Sequence, residues 1–227
     1  MRQPPSLPLI VRHLGCCQYL DTFAAMKSFV SERQKSTPDE IWLLEHFPVF
    51  TQGQAGSKEH LIAPGDIPVV QSDRGGHVTY HAPGQITGYI LIDMQRLGIG
   101  VRDIVTLIEK SIIETLAYWN IKATADPRAP GVFVGDAVGD LGELKKIASL
   151  GLRIRRGYSY HGFNLNIDMD MGPWSRINPC GLGIPMTQMI DFLEERVPLI
   201  DIFKCISNIL AQSLGYNEYK VEFTLDH

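Results

Sequence analysis

The chain has 227 residues, 44% of them hydrophobic and 20% charged, with a formal net charge of −4. That balance supplies a substantial core and lacks the basic excess of nucleic-acid-binding proteins, so no nucleic-acid partner is expected. No apolar run approaches the roughly 20 residues that a bilayer span requires, and the apolar patch near the N-terminus is too short for a signal-peptide core, so a cytoplasmic protein without membrane contact is expected.

Residues 6–15 (SLPLIVRHLG) read as a first strand. The spacing of Leu20, Phe23, Lys27 and Val30, with Ala24 and Met26 alongside, predicts an amphipathic helix over 18–35. The apolar and aromatic stretch 39–53 reads as a strand whose character ends at Pro48. Strands follow at 65–73 and 78–94, where Ile86, Gly88, Ile90 and Ile92 recur at period two, on either side of Arg74-Gly75-Gly76. The clearest helix is 100–119, with Ile104, Val105, Ile108, Ile112, Thr115 and Leu116 on one face. Residues 129–169 read as short strands around a Gly/Asp-rich loop at 135–142, and 172–185 has the Pro/Gly punctuation of a loop. A last helix is predicted over 198–214, with Pro198 in its first turn and Gly215 as its C-terminal cap. No repeat or linker divides the chain, so a single mixed α/β (α+β) domain over 1–227 is expected.

Three segments depart from ordinary strand and helix material. In Arg74-Gly75-Gly76-His77-Val78-Thr79-Tyr80-His81 the glycines expose backbone amides and Arg74 can bond an oxygen. The bland reading of the same residues is a Gly-Gly hairpin turn. Lys146, at the start of a strand, reads in isolation as a solvated charge, yet beside a cysteine its ammonium would favour the thiolate. Cys180 stands between Pro179 and Gly181 on a loop. The other cysteines, Cys16, Cys17 and Cys205, offer it no Cys-x-x-Cys pair and no zinc-type spacing, so packing and nucleophilic attack remain for it. His161 reads either as a pocket-lining residue or, the plainer reading, as a strand histidine satisfied by a backbone group, and Arg153, Arg155 and Arg156 as a basic cluster that is either a solvated face or the place where an acidic partner could dock.

Taken in order, RGGHVTYHAPGQ (74–85), KIASLGLR (146–153), YHGFNLNIDM (160–169) and RINPCG (176–181) resemble the lipoyl(octanoyl) transferase family. The departures are a longer loop before Lys145, Gly-Phe-Asn at 162–164, where the family commonly has Gly-Leu-Ala, and a segment after Cys180 (GLGIPMTQ) that is one residue short. The resemblance implies transfer of an octanoyl group from octanoyl-acyl carrier protein to a lysine of lipoyl domains in 2-oxoacid dehydrogenase complexes and of the glycine cleavage H protein, the first step of endogenous protein lipoylation. It implies that Cys180 carries the acyl group as a thioester and that Lys146 lowers the thiol pKa and shuttles protons. It assigns substrate-binding roles to Arg74, Gly75, Gly76, His77, Val78, Thr79, Tyr80 and His81, to Ser149, Leu150 and Gly151, and to Gly162, Phe163 and Asn164. The implied fold is that of biotin and lipoate protein ligases, a mixed, largely antiparallel sheet flanked by helices. No cofactor, no metal and a monomeric state are expected. Two other functions fit the same frame: an ATP-dependent lipoate or biotin ligase, and a non-catalytic acyl-binding protein.

Overall fold

Alternation along one central strand decides which side of the protein each helix covers. The computed structural model describes residues 5, 7–135, 144–179 and 184–223, and in it β6 (Gln85–Leu91) lies mid-sheet between β2 (Asp39–His46) and β10 (Tyr158–Asn166). Its Ile86 and Ile90 face one side, where they join Ile41, Leu43 and Leu165. That side packs against Ile104, Ile108, Ile112 and Leu116 of α3 (Val101–Tyr118) and Ile202, Ile206 and Leu210 of α4 (Leu199–Ser213). Tyr89 and Leu91 face the other way, onto Met26 and Val30 of α1 (Tyr19–Glu32). Each aliphatic side chain buried in this way contributes about 1.5–3 kcal/mol.

The full sheet adds β1 (Leu9–Cys17), β7 (Ala123–Asp126), β8 (Ala129–Val134), β9 (Lys145–Arg155) and β11 (Tyr219–Phe223), in the order β11-β1-β2-β6-β10-β9-β8-β7. Only the β11–β1 and β1–β2 pairs are parallel, so the mixed, largely antiparallel sheet is observed as expected. The chain leaves this sheet at Pro48 and builds a second one from β3 (Val49–Gln52), β4 (Val69–Gln71) and β5 (Val78–His81), in the order β4-β3-β5. Because β3 lies between β4 and β5, the Arg74-Gly75-Gly76 segment is a crossover loop and not a hairpin turn.

The buried carboxylate of Asp39 ties four elements together. It accepts hydrogen bonds from the Arg33 guanidinium after α1, from the Tyr216 hydroxyl after α4, and from the Asp93 N–H at 2.8 Å before α2 (Met94–Leu97). The predicted face of α1 is displaced. Tyr19, Thr22, Met26 and Val30 are buried, whereas Leu20 is 60% exposed, because the sheet meets the helix about one position away from the apolar stripe. The final helix lies within a residue of its expected ends, with Pro198 as N-cap just before the first turn and Gly215, one past the C-cap Leu214, in the left-handed region at φ +89.

Candidate active site

Register across β9 and β10 brings two of the substrate-binding groups implied by the resemblance, 149–151 and 162–164, face to face. Ser149 lies opposite Asn164, Leu150 opposite Phe163 and Gly151 opposite Gly162. Asn164 bonds in both directions, its Oδ1 accepting from the Ser149 N–H at 3.0 Å and its Nδ2 donating to Thr79 Oγ1 at 3.3 Å on β5. Thus the second sheet is stitched to the first at the place where the motifs converge.

Two adjoining cavities occupy this seam. The outer cleft, of about 350 Å³, is lined among others by Gly75, Gly76, His77, Val78, Lys146, Leu152 and Pro179. The inner cavity, of about 40 Å³, is lined by Tyr19, His81, Thr87, Tyr89, His161, Gly162, Phe163 and Asn164. Arg74, Thr79, Ser149, Leu150 and Gly151 line both. One predicted residue, Tyr80, lines neither. Strand alternation turns its ring into a separate core, 5.3 Å from Phe50 and 5.8 Å from Trp174, so Tyr80 supports the loop from behind.

Arg74 also departs from expectation. Its Nε and Nη2 donate to Thr51 Oγ1, at 3.1 and 2.9 Å, and its Nη1 to its neighbour's carbonyl, Gly75 O, at 2.9 Å. The guanidinium therefore braces the crossover loop against β3. Burial pushes its pKa down to about 10, which still leaves it charged at neutral pH. Gly76 sits at φ +82, and the Gly75 N–H donates to Leu152 O at 3.1 Å, so this loop is bonded to β9 through its backbone.

Lys146 is 7% exposed, so the reading of it as a solvated charge fails. Its Nζ donates to Pro130 O at 2.9 Å and lies 5.5 Å from the centre of the Phe133 ring. Space for this side chain comes from Gly131, where a Cβ would stand 2.4 Å from Lys146 Cε. Both flanks of the Cys180 loop are anchored nearby. On one side Asn178 N–H donates to His60 O at 2.8 Å, and Pro179 borders the cleft. On the other, Lys146 N–H donates to Pro185 O at 2.8 Å and Thr187 N–H to Lys146 O at 2.9 Å. Cys180 and Gly181 themselves, and most of the loop at 135–142, lie outside the described residues.

Behind the inner cavity is a set of buried rings that the motifs only partly announce. His161 Nε2 bonds Asp73 Oδ1 at 2.8 Å, and Tyr160 donates to Asp73 Oδ2 at 2.6 Å, so the partner of His161 is a carboxylate and not the backbone group expected. Desolvation pushes the Asp73 carboxyl up, but these two bonds together with the charges of His161 and Lys27 hold it at about 2, whereas burial lowers His161 despite that partner. His46 is bonded to Tyr89 Oη at 2.6 Å and to Cys17 O at 2.9 Å, and burial pushes it down to about 4. Asp73 stands next to Arg74 in the sequence, and Gly131 lies within a predicted strand, which were the available signals. For Tyr19 and Thr87 there was none, since only tertiary packing brings them to the cavity. Among the described residues, no group of three or more His, Cys, Asp or Glu side chains could hold a metal ion.

A buried lysine beside a two-part pocket, in a seam between a large and a small sheet, defines a catalytic domain of the lipoyl protein ligase class. Accordingly, the family model described as "Lipoyl protein ligase A/B catalytic domain" matches residues 18–211. Among solved structures, a bipartite lipoate protein ligase from Thermoplasma acidophilum is similar with a TM-score of 0.76 at 12% identity, covering 97% of this chain and 88% of that one. Biotin protein ligase from Aquifex aeolicus gives a TM-score of 0.52 at 8% identity, with 92% and 69% covered. Those likenesses establish the fold. Curated relatives narrow the class: the octanoyltransferase of Azotobacter vinelandii is 54% identical over 211 residues, 92% of this chain and 93% of that protein. The octanoyltransferase of Marinomonas sp. is 53% identical over 212 residues, covering 93% and 95%. The chain belongs to the octanoyltransferase family, and it is an acyltransferase of protein lipoylation.

Proposed function

We propose that this chain, acting as a single-domain monomer in the cytoplasm, moves octanoyl from octanoyl-acyl carrier protein onto a lysine of lipoyl domains through a thioester on Cys180. The acceptors are the lipoyl domains of 2-oxoacid dehydrogenase complexes and the glycine cleavage H protein, and no cofactor takes part. The observation that carries this reading is the anchoring around Lys146. A buried lysine lines the cleft together with Pro179, and its own peptide group pairs with Pro185 and Thr187, on the far side of Cys180 in the chain.

In the first step the Cys180 thiolate, stabilised by the Lys146 ammonium, attacks the donor thioester carbonyl. An unperturbed thiol, with a pKa of about 8.5, is only a few per cent ionised at neutral pH, so a nearby cation raises the reactive fraction. The tetrahedral intermediate collapses, the carrier's pantetheine sulfur departs, and Lys146 gives it a proton. The acceptor lysine then attacks the Cys180 thioester as a neutral amine. Lys146, now neutral, takes the surplus proton, the amide forms and the Cys180 thiolate is regenerated. The Gly75 N–H already serves Leu152 O, which leaves the Gly76 amide or those of Cys180 and Gly181 to hold the oxyanion. Val78, Leu150, Leu152 and Phe163 supply apolar wall for the octanoyl chain, at about 0.8 kcal/mol for each methylene buried.

Intact-mass analysis after incubation with octanoyl-acyl carrier protein tests the reading. A covalent octanoyl adduct is expected on the wild type, released by hydroxylamine and missing from Cys180→Ser. Full transfer by Cys180→Ala with free octanoate and ATP would reassign the chain to the ligases. Acyl groups that are held but lost on denaturation would make it a binding protein.

A further inference from the structure

The carbonyl that receives the Lys146 ammonium belongs to a peptide group with a second charged neighbour. Lys146 Nζ donates to Pro130 O at 2.9 Å, and the N–H of that same peptide, carried by Gly131, donates to Glu109 Oε1 at 3.0 Å. A trans peptide is planar, and its C=O and N–H point in opposite directions. Lys146 and Glu109 therefore sit at the two ends of one peptide dipole, the cation at the carbonyl and the carboxylate at the N–H. Each charge is at the end that the dipole favours. Hydrogen bonds in such a chain polarise one another, and those accepted by a carboxylate are among the stronger kinds. Glu109 thus makes Pro130 O a better acceptor for the amine.

The local sequence builds this chain of contacts from both sides. One residue on from the buried Ile104 and Ile108 of α3, Val105 and Glu109 stand a turn apart and line, with Asp126 and Pro130, a groove of about 670 Å³. That groove adjoins the outer cleft at Val101, Val105 and Pro130, which line both. On β8, Gly131 has φ +147, so the glycine that leaves room for the lysine also sets the angle of the peptide that joins it to Glu109. The other carboxylate of the groove, Asp126, is engaged by Arg128 at 2.7 and 2.9 Å. Burial raises the Glu109 pKa, whereas the Gly131 N–H and the Lys146 charge lower it, so the two partners given by geometry are those that favour its ionised form.

We infer that Glu109 is a positioning residue for the reacting amine: through the single peptide group between Pro130 and Gly131 it holds Lys146 in place and favours its ammonium form. The inference rests on the acyl-transfer reading above, in which that ammonium stabilises the Cys180 thiolate and protonates the leaving sulfur. A mere tie between helix and strand would need an acceptor at Glu109 and no charge. Among the described residues, the other charged or titratable ones lining the cleft and the groove are Arg74, His77, Arg102, Asp126 and Arg128, and the test alters none of them.

Competitive labelling of Lys146 with acetic anhydride over a range of alkaline pH, read by peptide mass, gives the midpoint at which the amine loses its proton. Glu109→Gln keeps an acceptor for the Gly131 N–H and removes the charge, so that midpoint is expected to fall by about 0.5 or more. The alkaline limb of Cys180 acyl loading, followed by intact mass with octanoyl-acyl carrier protein, should move down with it. Glu109→Ala removes the acceptor as well, and loading should fall about tenfold or more at every pH. Thermal melts establish that the variants are folded, and Glu109→Gln decides the matter by itself if Glu109→Ala is not. An unmoved midpoint in Glu109→Gln overturns the inference, whether or not the rate drops, because a structural tie leaves the titration of the amine alone. A wild type that takes no octanoyl onto Cys180 removes the acyl-transfer reading instead, and the labelling midpoint is read independently of that result.

Discussion

Gly131 and Lys146 meet so closely across the β8–β9 pair that a Cβ on Gly131 would stand 2.4 Å from Cε and 3.0 Å from Nζ of the lysine. The glycine also has φ +147, which L side chains rarely adopt. Gly131→Ala is therefore expected to push the ammonium from its place beside Pro130. A displacement of about 1 Å at a reacting group costs about 100-fold in rate, so a fall of that order in kcat/KM is expected. Steady-state transfer assays and a thermal melt separate this from unfolding; unchanged kinetics would show that the lysine position does not matter.

Replacing Lys146 separates its two proposed tasks. In Lys146→Met the Cys180 alkylation midpoint, followed by peptide mass, should rise to about 8.5 or above, and turnover should drop about 10²–10⁴-fold. Lys146→Arg keeps the charge but cannot act as a base, so it should load the acyl group and then stall as the thioester. Rapid deacylation by the arginine variant would assign the base role to another residue.

Stability should rise with pH between about 4 and 6.5. His46 has a folded pKa of about 4, below the ordinary 6.5, so the unfolded chain binds more protons in that window. Its contribution is complete above 6.5 and is lost as the pH falls to about 4, for a total on the order of 3 kcal/mol. His13, His81 and His161 are also lowered by burial and steepen the slope. Asp73, held at about 2, adds stability above the ordinary carboxylate range that disappears as the pH approaches 2. Urea titrations from pH 4 to 8 should show a flatter profile in His46→Gln; an equal slope would exclude His46 as a source.

Asp39→Ala should be among the most destabilising single changes. The Arg33 side chain is fully buried and its charge would lose its carboxylate partner, at a cost of about 3–5 kcal/mol. The Tyr216 hydroxyl and the Asp93 N–H would lose their acceptor as well. Equilibrium urea unfolding reads the loss directly, and a change under about 1 kcal/mol would show that water replaces the carboxylate.

Reversing Arg153, Arg155 and Arg156 to glutamate should raise the KM for the carrier-bound donor, with a strong salt dependence, if the hairpin of β9 and β10 receives an acidic protein. Arg155 and Arg156 are exposed at its turn, and Arg153 Nη1 reaches Gln54 Oε1 at 2.6 Å. An unaltered KM at low ionic strength removes the docking role.

Much of the architecture could be read from local pattern. The period of residues 100–119 marks α3, which buries a single regular face, and the period-two isoleucines within 78–94 mark β6, although that strand is buried on both faces. The edge strand β11 carries mostly exposed residues, so it had no burial pattern to betray it, and its identity comes only from pairing with β1. For α1, a partly exposed apolar stripe misled the choice of face, since Leu20 is as hydrophobic as any core residue. At the site, motif order identified the segments that meet. It could not show that Arg74 is consumed by Thr51, that Tyr80 points away, or that Thr87 and Tyr19 border the pocket, since each depends on how two sheets are stacked.

The departure of the chain at Pro48 into a second sheet has a mechanical consequence. Among the described residues no backbone ladder joins β5 to β9 or β10; the seam is crossed by separate contacts, among them Gly75 N–H to Leu152 O, Asn164 to Thr79, Tyr160 and His161 to Asp73, and Arg153 to Gln54. Rocking the small sheet outward would stretch these side-chain and loop links while both ladders stay whole. A greasy chain can thus be threaded in and let go by breathing at a hinge line, and amide hydrogens along that line should exchange before those of either sheet.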